Sequence, residues 1–189
     1  MDYNYLAHYG VLGMKWGVRR YQNKDGSLTA AGKKRSQEQA LKDIKKYGRY
    51  TSDHTKITNS KNEELTQAIK RAKPFVDKLT SSGSKWGEIE TAMMNMYDER
   101  SVLYRQNGTA ERADKKAWKE ARDAYGKQHD AAKAEYTQNR ESYNKYLQDT
   151  VDKILGEYGD VVVRSRYDGR NSAKDALSDI MYWNNIKDK

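Results

Sequence analysis

The sequence predicts a mainly α-helical protein built around a long antiparallel helical hairpin. Residues 109–158 carry a stripe of mostly apolar and aromatic side chains that repeats at steps of three, four and four residues, the spacing of one helix face. Residues 60–106 provide a nearly equal length of chain, and only the short turn Asn107-Gly108 separates the two. Leu, Ile, Val and Phe number 26 of 189 residues, which favours an elongated hairpin with a thin apolar seam over a thick core.

The first 35 residues are predicted to form an aromatic and basic segment rather than a helix. They contain seven Lys or Arg residues against two Asp or Glu, and their glycines allow sharp backbone turns between bulky side chains. Asp25-Gly26 lies between two short strand-like runs, Val18–Gln22 and Ser27–Thr29. This arrangement predicts a β-hairpin inside the segment.

A first helix is predicted over residues 29–48. Thr29 is suited to cap its N-terminus, and Gly48 is suited to end it. The polar residues 49–60 show no hydrophobic periodicity, so we expect a linker there.

The hairpin is predicted over residues 60–158. Ser60 and Glu63 have the spacing of a capping box that begins a helix, while the run Thr80 to Gly83 predicts an interruption in the first leg. We expect the stripe of the second leg to pack against the first leg rather than to bind bases. It consists of Trp118, Ala121, Tyr125, His129, Ala132, Tyr136, Arg140, Tyr143, Leu147, Val151, Ile154 and Tyr158.

Residues 161–189 are predicted to form one short strand, Val161–Tyr167, followed by a helix from Ser172 to about Asn185. A single strand needs a partner for its backbone groups, and Val18–Thr29 is the best candidate in the chain. We therefore expect the two ends of the chain to meet in a small mixed cap at the base of the hairpin.

Composition limits the classes of function. The chain has no cysteine, which excludes disulfides, thiolate catalysis and zinc sites built on cysteine. It shows neither a signal-peptide pattern nor an apolar run near the length of a membrane span, so we expect a soluble protein made in the cytosol. A net charge of +9 and a pI near 9.4 suit an anionic partner such as nucleic acid, an acidic protein surface or lipid headgroups.

The pattern of titratable residues does not predict an enzyme. The three histidines, His8, His54 and His129, are far apart and lack carboxylates at ligand spacing, so we expect surface or packing roles for them. The carboxylates lie among lysines on solvated helix faces, and no nucleophile elbow or phosphate-binding glycine loop is present. We expect no catalytic residue, no metal and no cofactor.

The opening segment is the predicted binding site. Its aromatic and basic residues follow neither a helix nor a strand period, so the pattern does not by itself predict a role in the core. Residues of these types can bind an acidic protein surface or stack on exposed bases. The near-neutral second leg of the hairpin favours protein over nucleic acid as the partner. The predicted partner-binding residues are His8, Tyr9, Met14, Lys15, Trp16, Arg19, Arg20, Tyr21, Lys33, Lys34 and Arg35.

Two sequence motifs in this segment resemble a known signature. They are His-Tyr-Gly-Val-Leu-Gly-Met-Lys-Trp-Gly-Val-Arg-Arg-Tyr-Gln-Asn at 8–23 and Asp-Gly-Ser-Leu-Thr-Ala-Ala-Gly-Lys-Lys-Arg at 25–35. The segment resembles a signature of proteins from tailed phages and prophages of Gram-positive bacteria, which are often encoded among head and minor-capsid genes. In those proteins it is fused to otherwise unrelated domains. Ser36 departs from the pattern, which has a tyrosine there, and residues 36–189 resemble no family.

The resemblance implies company with head genes more than an activity. Together with the residue pattern, it leads us to expect a non-enzymatic protein of the virion or of its assembly, located in the virion or the bacterial host cytoplasm. We expect the opening segment to dock onto a phage head or portal component. One alternative is an effector that binds and inhibits a host protein or nucleoprotein of a defence system, and a second is a nucleic-acid-binding protein. The sequence is also compatible with self-association of the hairpin.

Overall fold

The computed structural model describes residues 20–47, 60–107, 112–164 and 170–186. Within them the chain is mainly α-helical, as the sequence predicts, and none of the helices is both long and apolar enough to cross a membrane. The elements are α1 (Ala30–Tyr47), α2 (Glu63–Asn107), α3 (Arg112–Ile154), a 3₁₀ turn at Gly156–Tyr158, β1 (Val162–Arg164), β2 (Arg170–Ser172) and α4 (Ala173–Asn185).

Helices α2 and α3 form the predicted hairpin. They contain 45 and 43 residues, which at 1.5 Å per residue makes each about 65 Å long, and they pack against each other along this length. Of the predicted stripe on α3 and the following turn, Arg140 alone is exposed, and the other members are buried or half-buried. The periodicity therefore identified the buried face of α3 correctly.

The predicted interruption at residues 80–83 is wrong, because α2 continues through it. Ser82 is buried, and its hydroxyl donates to the carbonyl oxygen of Lys78 at 2.8 Å. Asn139 of α3 donates through its Nδ2 to the Ser82 hydroxyl at 3.1 Å, and Gly83 lies under the ring of Tyr136. Small residues here let α3 approach closely, so the contact between helices outweighs their weak helix propensity.

The predicted capping box at Ser60 is also wrong in detail. Asn62 caps α2, because its Oδ1 accepts from the backbone N–H of Leu65 at 2.9 Å. The Ser60 hydroxyl instead donates to Oδ2 of Asp43 at 2.8 Å, and the same Asp43 oxygen accepts from the backbone N–H of Asn62 at 3.2 Å. Asp43 thereby ties the start of α2 to the inner side of α1.

The strand pairing differs from the expectation. β1 pairs antiparallel with β2, with Val163 opposite Asn171, and not with Val18–Thr29. Pairing with the adjacent segment closes a much shorter loop and so costs less entropy. The predicted C-terminal helix is present, and Ser172 caps it by accepting from the backbone N–H of Asp175 at 3.1 Å. The two ends of the described chain meet through α1 and α4, which pack together.

Buried apolar side chains are concentrated at one end of the hairpin. We call this end the base; it comprises α1, α4, the sheet, residues 63–83 of α2 and residues 136–154 of α3. The remainder of α2 and α3 is the arm, residues 84–107 and 112–135. Ala132 is the only fully buried apolar residue among the described side chains of the arm, whereas Ile44, Leu65, Leu177, Ile180 and Met181 of the base are completely or almost completely buried.

Candidate docking site

The structure describes part of the predicted docking set. Arg20 and Tyr21 precede α1, and Lys33, Lys34 and Arg35 lie in its first two turns. The structure brings these five residues together at one end of α1. The predictions for the other members concern residues outside the described ranges: His8, Tyr9, Met14, Lys15, Trp16 and Arg19.

The predicted Asp25-Gly26 turn is present. The backbone N–H of Asn23 donates to the carbonyl of Ser27 at 2.8 Å, and that of Gly26 donates to Asn23 at 3.1 Å. Gly26 has a φ of 84°, a left-handed conformation that glycine adopts without steric cost. An isolated antiparallel bridge joins Gln22 to Leu28, so the predicted hairpin forms as a tight turn closed by a single bridge.

Asp25 fixes the shape of this turn from its exposed side. Its Oδ1 accepts from the Ser27 hydroxyl at 2.7 Å and from the Ser27 backbone N–H at 2.9 Å. These two hydrogen bonds lower the pKa of the Asp25 carboxyl below its ordinary value, the bond from the hydroxyl contributing most. The carboxylate therefore stays ionised and engaged in the turn at neutral pH.

Thr29 joins the turn to α1. Its backbone N–H donates to the carbonyl of Tyr21 at 3.1 Å, and its hydroxyl donates to the carbonyl of Arg20 at 2.8 Å. The same hydroxyl accepts from the backbone N–H of Gly32 at 3.1 Å, which confirms Thr29 as the cap of the helix. The Thr29 hydroxyl thus accepts from a backbone N–H in the first turn of α1 and also fixes the position of Arg20.

Gly32 allows the two segments to touch. A Cβ at this buried position would overlap the carbonyl oxygen of Tyr21 and lie 3.0 Å from its carbonyl carbon. Any other residue would push residues 20–21 away from the helix, because the atoms it would meet belong to the backbone and cannot rotate aside. We name this junction, formed by Arg20, Tyr21, Thr29 and Gly32, the clamp.

Two arginines flank the ring of Tyr21. The Cζ of Arg35 lies 4.7 Å from the ring centroid, and that of Arg20 lies 5.4 Å from it, both within the range of cation–π attraction. Tyr21 is half-buried, while Lys33 and Lys34 are exposed on the adjoining turn of α1. Two arginines therefore contact a ring that the clamp holds in place, and two exposed lysines lie on the adjoining turn of the helix.

A groove of about 640 Å³ separates the clamp from the start of α2. Tyr21 and Arg35 line it from the clamp side, and Lys61, Glu63 and Glu64 line it from the start of α2. The lining thus combines cationic donors with carboxylate acceptors, which suits a polar peptide or side chain of a partner. Ser36 also lines the groove, and its carbonyl accepts from Nδ2 of Asn62 at 2.9 Å. The sequence alone does not predict this link, because the two residues are 26 positions apart.

His129 of the arm has a packing role, as the sequence predicts. The indole Nε1 of Trp86 donates to Nε2 of His129 at 2.9 Å, and Nδ1 of His129 lies 3.3 Å from Oδ1 of Asp130. Since an indole only donates, Nε2 must be the unprotonated acceptor, and the proton belongs on Nδ1. This histidine bridges α2 and α3 within the seam.

One family model matches the chain. It describes a family of unknown function (DUF7211) and matches residues 2–23, the stretch that ends inside the turn at Asn23 and overlaps the clamp at Arg20 and Tyr21. No curated protein matches the chain. No solved structure matches it either.

Proposed function

We propose that this chain is a non-enzymatic protein of a phage or prophage, associated with the virion or its assembly, which docks through residues 1–35 onto a head or portal component. Its place of action would be the virion or the cytoplasm of a bacterial host. In this proposal the docking residues are those predicted from the sequence, and the hairpin of α2 and α3 is a spacer or a presented part.

The clamp is the observation that carries the proposal. It fixes the backbone at Arg20 and Tyr21 by hydrogen bonds to Thr29, and the absence of a side chain at Gly32 lets the carbonyl of Tyr21 pack against the helix. A binding segment that starts from a fixed point loses less conformational freedom when it docks, so more of its contact energy contributes to affinity.

The chemistry of the clamp supports a protein as the partner. Arginine and tyrosine are enriched at protein–protein interfaces, and both surround the groove beside Lys61, Glu63 and Glu64. The resemblance of residues 5–35 to a signature found beside head genes supports a head component.

Incorporation into particles tests the proposal. We expect the variant Trp16→Ala/Arg19→Ala/Arg20→Ala to be incorporated at least about tenfold less than the unaltered protein, which corresponds to about 1.4 kcal/mol of binding free energy. The measurement is quantitative mass spectrometry of particles purified by density gradient, together with binding of the purified chain to capsid and portal protein. The control Arg71→Ala/Arg140→Ala removes two exposed arginines of the hairpin and should be incorporated normally.

Two results would overturn the proposal. The first is equal incorporation of the docking variant and the control. The second is absence of the unaltered protein from particles together with specific capture of a host protein, which would assign residues 1–35 to an inhibitor of that protein.

A further inference from the structure

Helix α1 carries five of its six cations on one outward face. With 100° between successive residues, five of its basic residues fall within about 120° of the helix circumference, and all five are exposed. We name this surface the α1 cationic face. It consists of Lys34, Arg35, Lys42, Lys45 and Lys46.

The fold buries one of the two carboxylates of α1. Helix α1 contains two acidic residues, Glu38 and Asp43. Asp43 is 6% exposed and turned toward the start of α2, where it accepts hydrogen bonds from Ser60 and Asn62. Glu38, which is half-buried, is left as the single carboxylate among the five cations. The outward charge of α1 is therefore more positive than its sequence indicates.

Three of the lysines are available to a ligand. Among the described residues, Lys34, Lys42 and Lys45 form no ion pair. Lys34 and Lys45 are 11 positions apart in the sequence, about 17 Å along the helix axis at 1.5 Å per residue. Like charges at this density repel one another, so an extended polyanion that lies along the helix would gain from all of them.

We propose that the α1 cationic face binds the phosphate backbone of nucleic acid without reading its sequence. Lysine ammonium groups are compact point charges suited to phosphate contacts, and such contacts position a nucleic acid without specifying bases. This surface is an addition to the protein-docking function proposed above and does not depend on it, because Lys42 and Lys45 lie outside the docking set.

The composition of the face argues against other macromolecules. Protein interfaces are depleted in lysine and centre on aromatic or apolar anchors. Tyr21 packs against Arg35 at one end of the face, but Lys42 and Lys45 have no large apolar or aromatic neighbour among the described exposed side chains of α1. A helix that lies in a membrane surface inserts an apolar side into the lipid. The apolar side of α1 is already covered, since Ala40 and Ile44 are 0% exposed and belong to the core of the base.

The experiment measures the salt dependence of binding to a short fluorescent DNA duplex of random sequence. If Lys34, Lys42 and Lys45 each neutralise a phosphate, the logarithm of the binding constant should fall with the logarithm of salt concentration, and these three lysines should contribute about −2.7 to the slope. Lys42→Gln/Lys45→Gln should reduce the magnitude of the slope by about 2, and addition of Lys34→Gln by about 1 more, with uniform weakening for all DNA sequences.

The matched control is Lys119→Gln/Lys127→Gln on α3, which removes the same charge from exposed positions and should leave the slope almost unchanged. Gln and Lys have similar helix propensities, and circular dichroism of each variant checks that α1 remains folded. A binding constant that stays flat between about 50 and 200 mM salt would overturn the proposal. An equal effect of the control would also do so, as would tighter binding to vesicles of phosphatidylcholine and phosphatidylserine than to DNA.

Discussion

At the scale of single residues, the clamp depends on positions where one atom more or less changes the geometry. The Thr29 hydroxyl makes two hydrogen bonds that join the turn to α1, and the missing side chain of Gly32 leaves space for the carbonyl of Tyr21. Neither residue touches a ligand in the proposed function. Both determine where residues 20–21 lie relative to α1.

We expect Gly32→Ala to destabilise the junction between residues 20–28 and α1. Because its Cβ would overlap backbone atoms of Tyr21, the strain should cost about 1–3 kcal/mol if the contact is kept, or the turn should detach. Urea unfolding measures the first outcome, and limited proteolysis after Arg20 and Lys24 detects the second.

Gly126→Ala is the matched control, because a Cβ at Gly126 in α3 would meet nothing within 4 Å. There the gain in helix propensity should stabilise the protein by up to about 1 kcal/mol. Equal effects of the two substitutions would contradict the assigned role of Gly32.

The sequence predicts some of these residues and not others. The Asp25-Gly26 turn and the Thr29 cap are local patterns, in which the partner atoms lie within a few positions, and both were predicted. The role of Gly32 requires knowledge of which backbone lies above it, and the role of Ser36 requires the position of Asn62. A local sequence pattern does not contain these contacts, because they form only when separate elements pack together.

At the scale of the elements, α2 shows how packing overrides propensity. Ser82 and Gly83 resemble a helix end in the sequence, yet they contact α3 directly through Asn139 and Tyr136. The stripe on α3 was predictable because a periodicity sustained over many turns outweighs any single residue. The same stripe contains His129, which accepts a hydrogen bond from Trp86, and Tyr136, whose ring packs against that of Trp86. Aromatic and polar contacts therefore join the two helices in the arm, where few aliphatic side chains are buried.

We expect the arm to open more readily than the base. Among its described side chains Ala132 is the only fully buried apolar residue, and segments with few buried contacts open locally at a lower free energy than the whole protein. Hydrogen exchange followed by mass spectrometry should show faster exchange at residues 84–107 and 115–135 than at 63–83 and 136–154. Uniform protection of α2 and α3 would contradict this expectation, and protection of the arm that increases with protein concentration would show self-association.

At the scale of the whole molecule, α4 completes the base by covering α2 and α1. Leu177, Ile180 and Met181 are completely buried, and the Nδ2 of Asn185 donates to the carbonyl of Ile69 in α2 at 2.8 Å. Tyr143 of α3 is 4% exposed, and its hydroxyl donates to the carbonyl of Ser178 at 3.3 Å. The C-terminal helix thus holds together elements from the whole length of the chain.

This packing predicts a loss of global stability at alkaline pH. Burial raises the pKa of the Tyr143 hydroxyl well above its ordinary value of 10.0. Above that value the unfolded chain releases the proton while the folded chain keeps it, so the free energy of unfolding should fall by up to about 1.4 kcal/mol per pH unit from this group. Urea midpoints measured below and above pH 10.0 test this fall.

Tyr143→Phe retains the buried ring and removes the proton that is released. Its free energy of unfolding should therefore decline less steeply above pH 10.0 than that of the unaltered protein. If the two proteins lose stability in parallel as the pH increases, Tyr143 does not contribute to the alkaline transition.

The clamp places few requirements on the helix that follows it. Among the described residues, the hydrogen bonds and ring contacts of residues 20–29 join them to one another and to residues 32–35. Any chain that continues as a helix after Thr-Ala-Ala-Gly could receive the same connector without rebuilding its interior. The geometry of residues 20–35 therefore depends on contacts within this short stretch, and it should be kept when the helix after Gly32 has a different sequence.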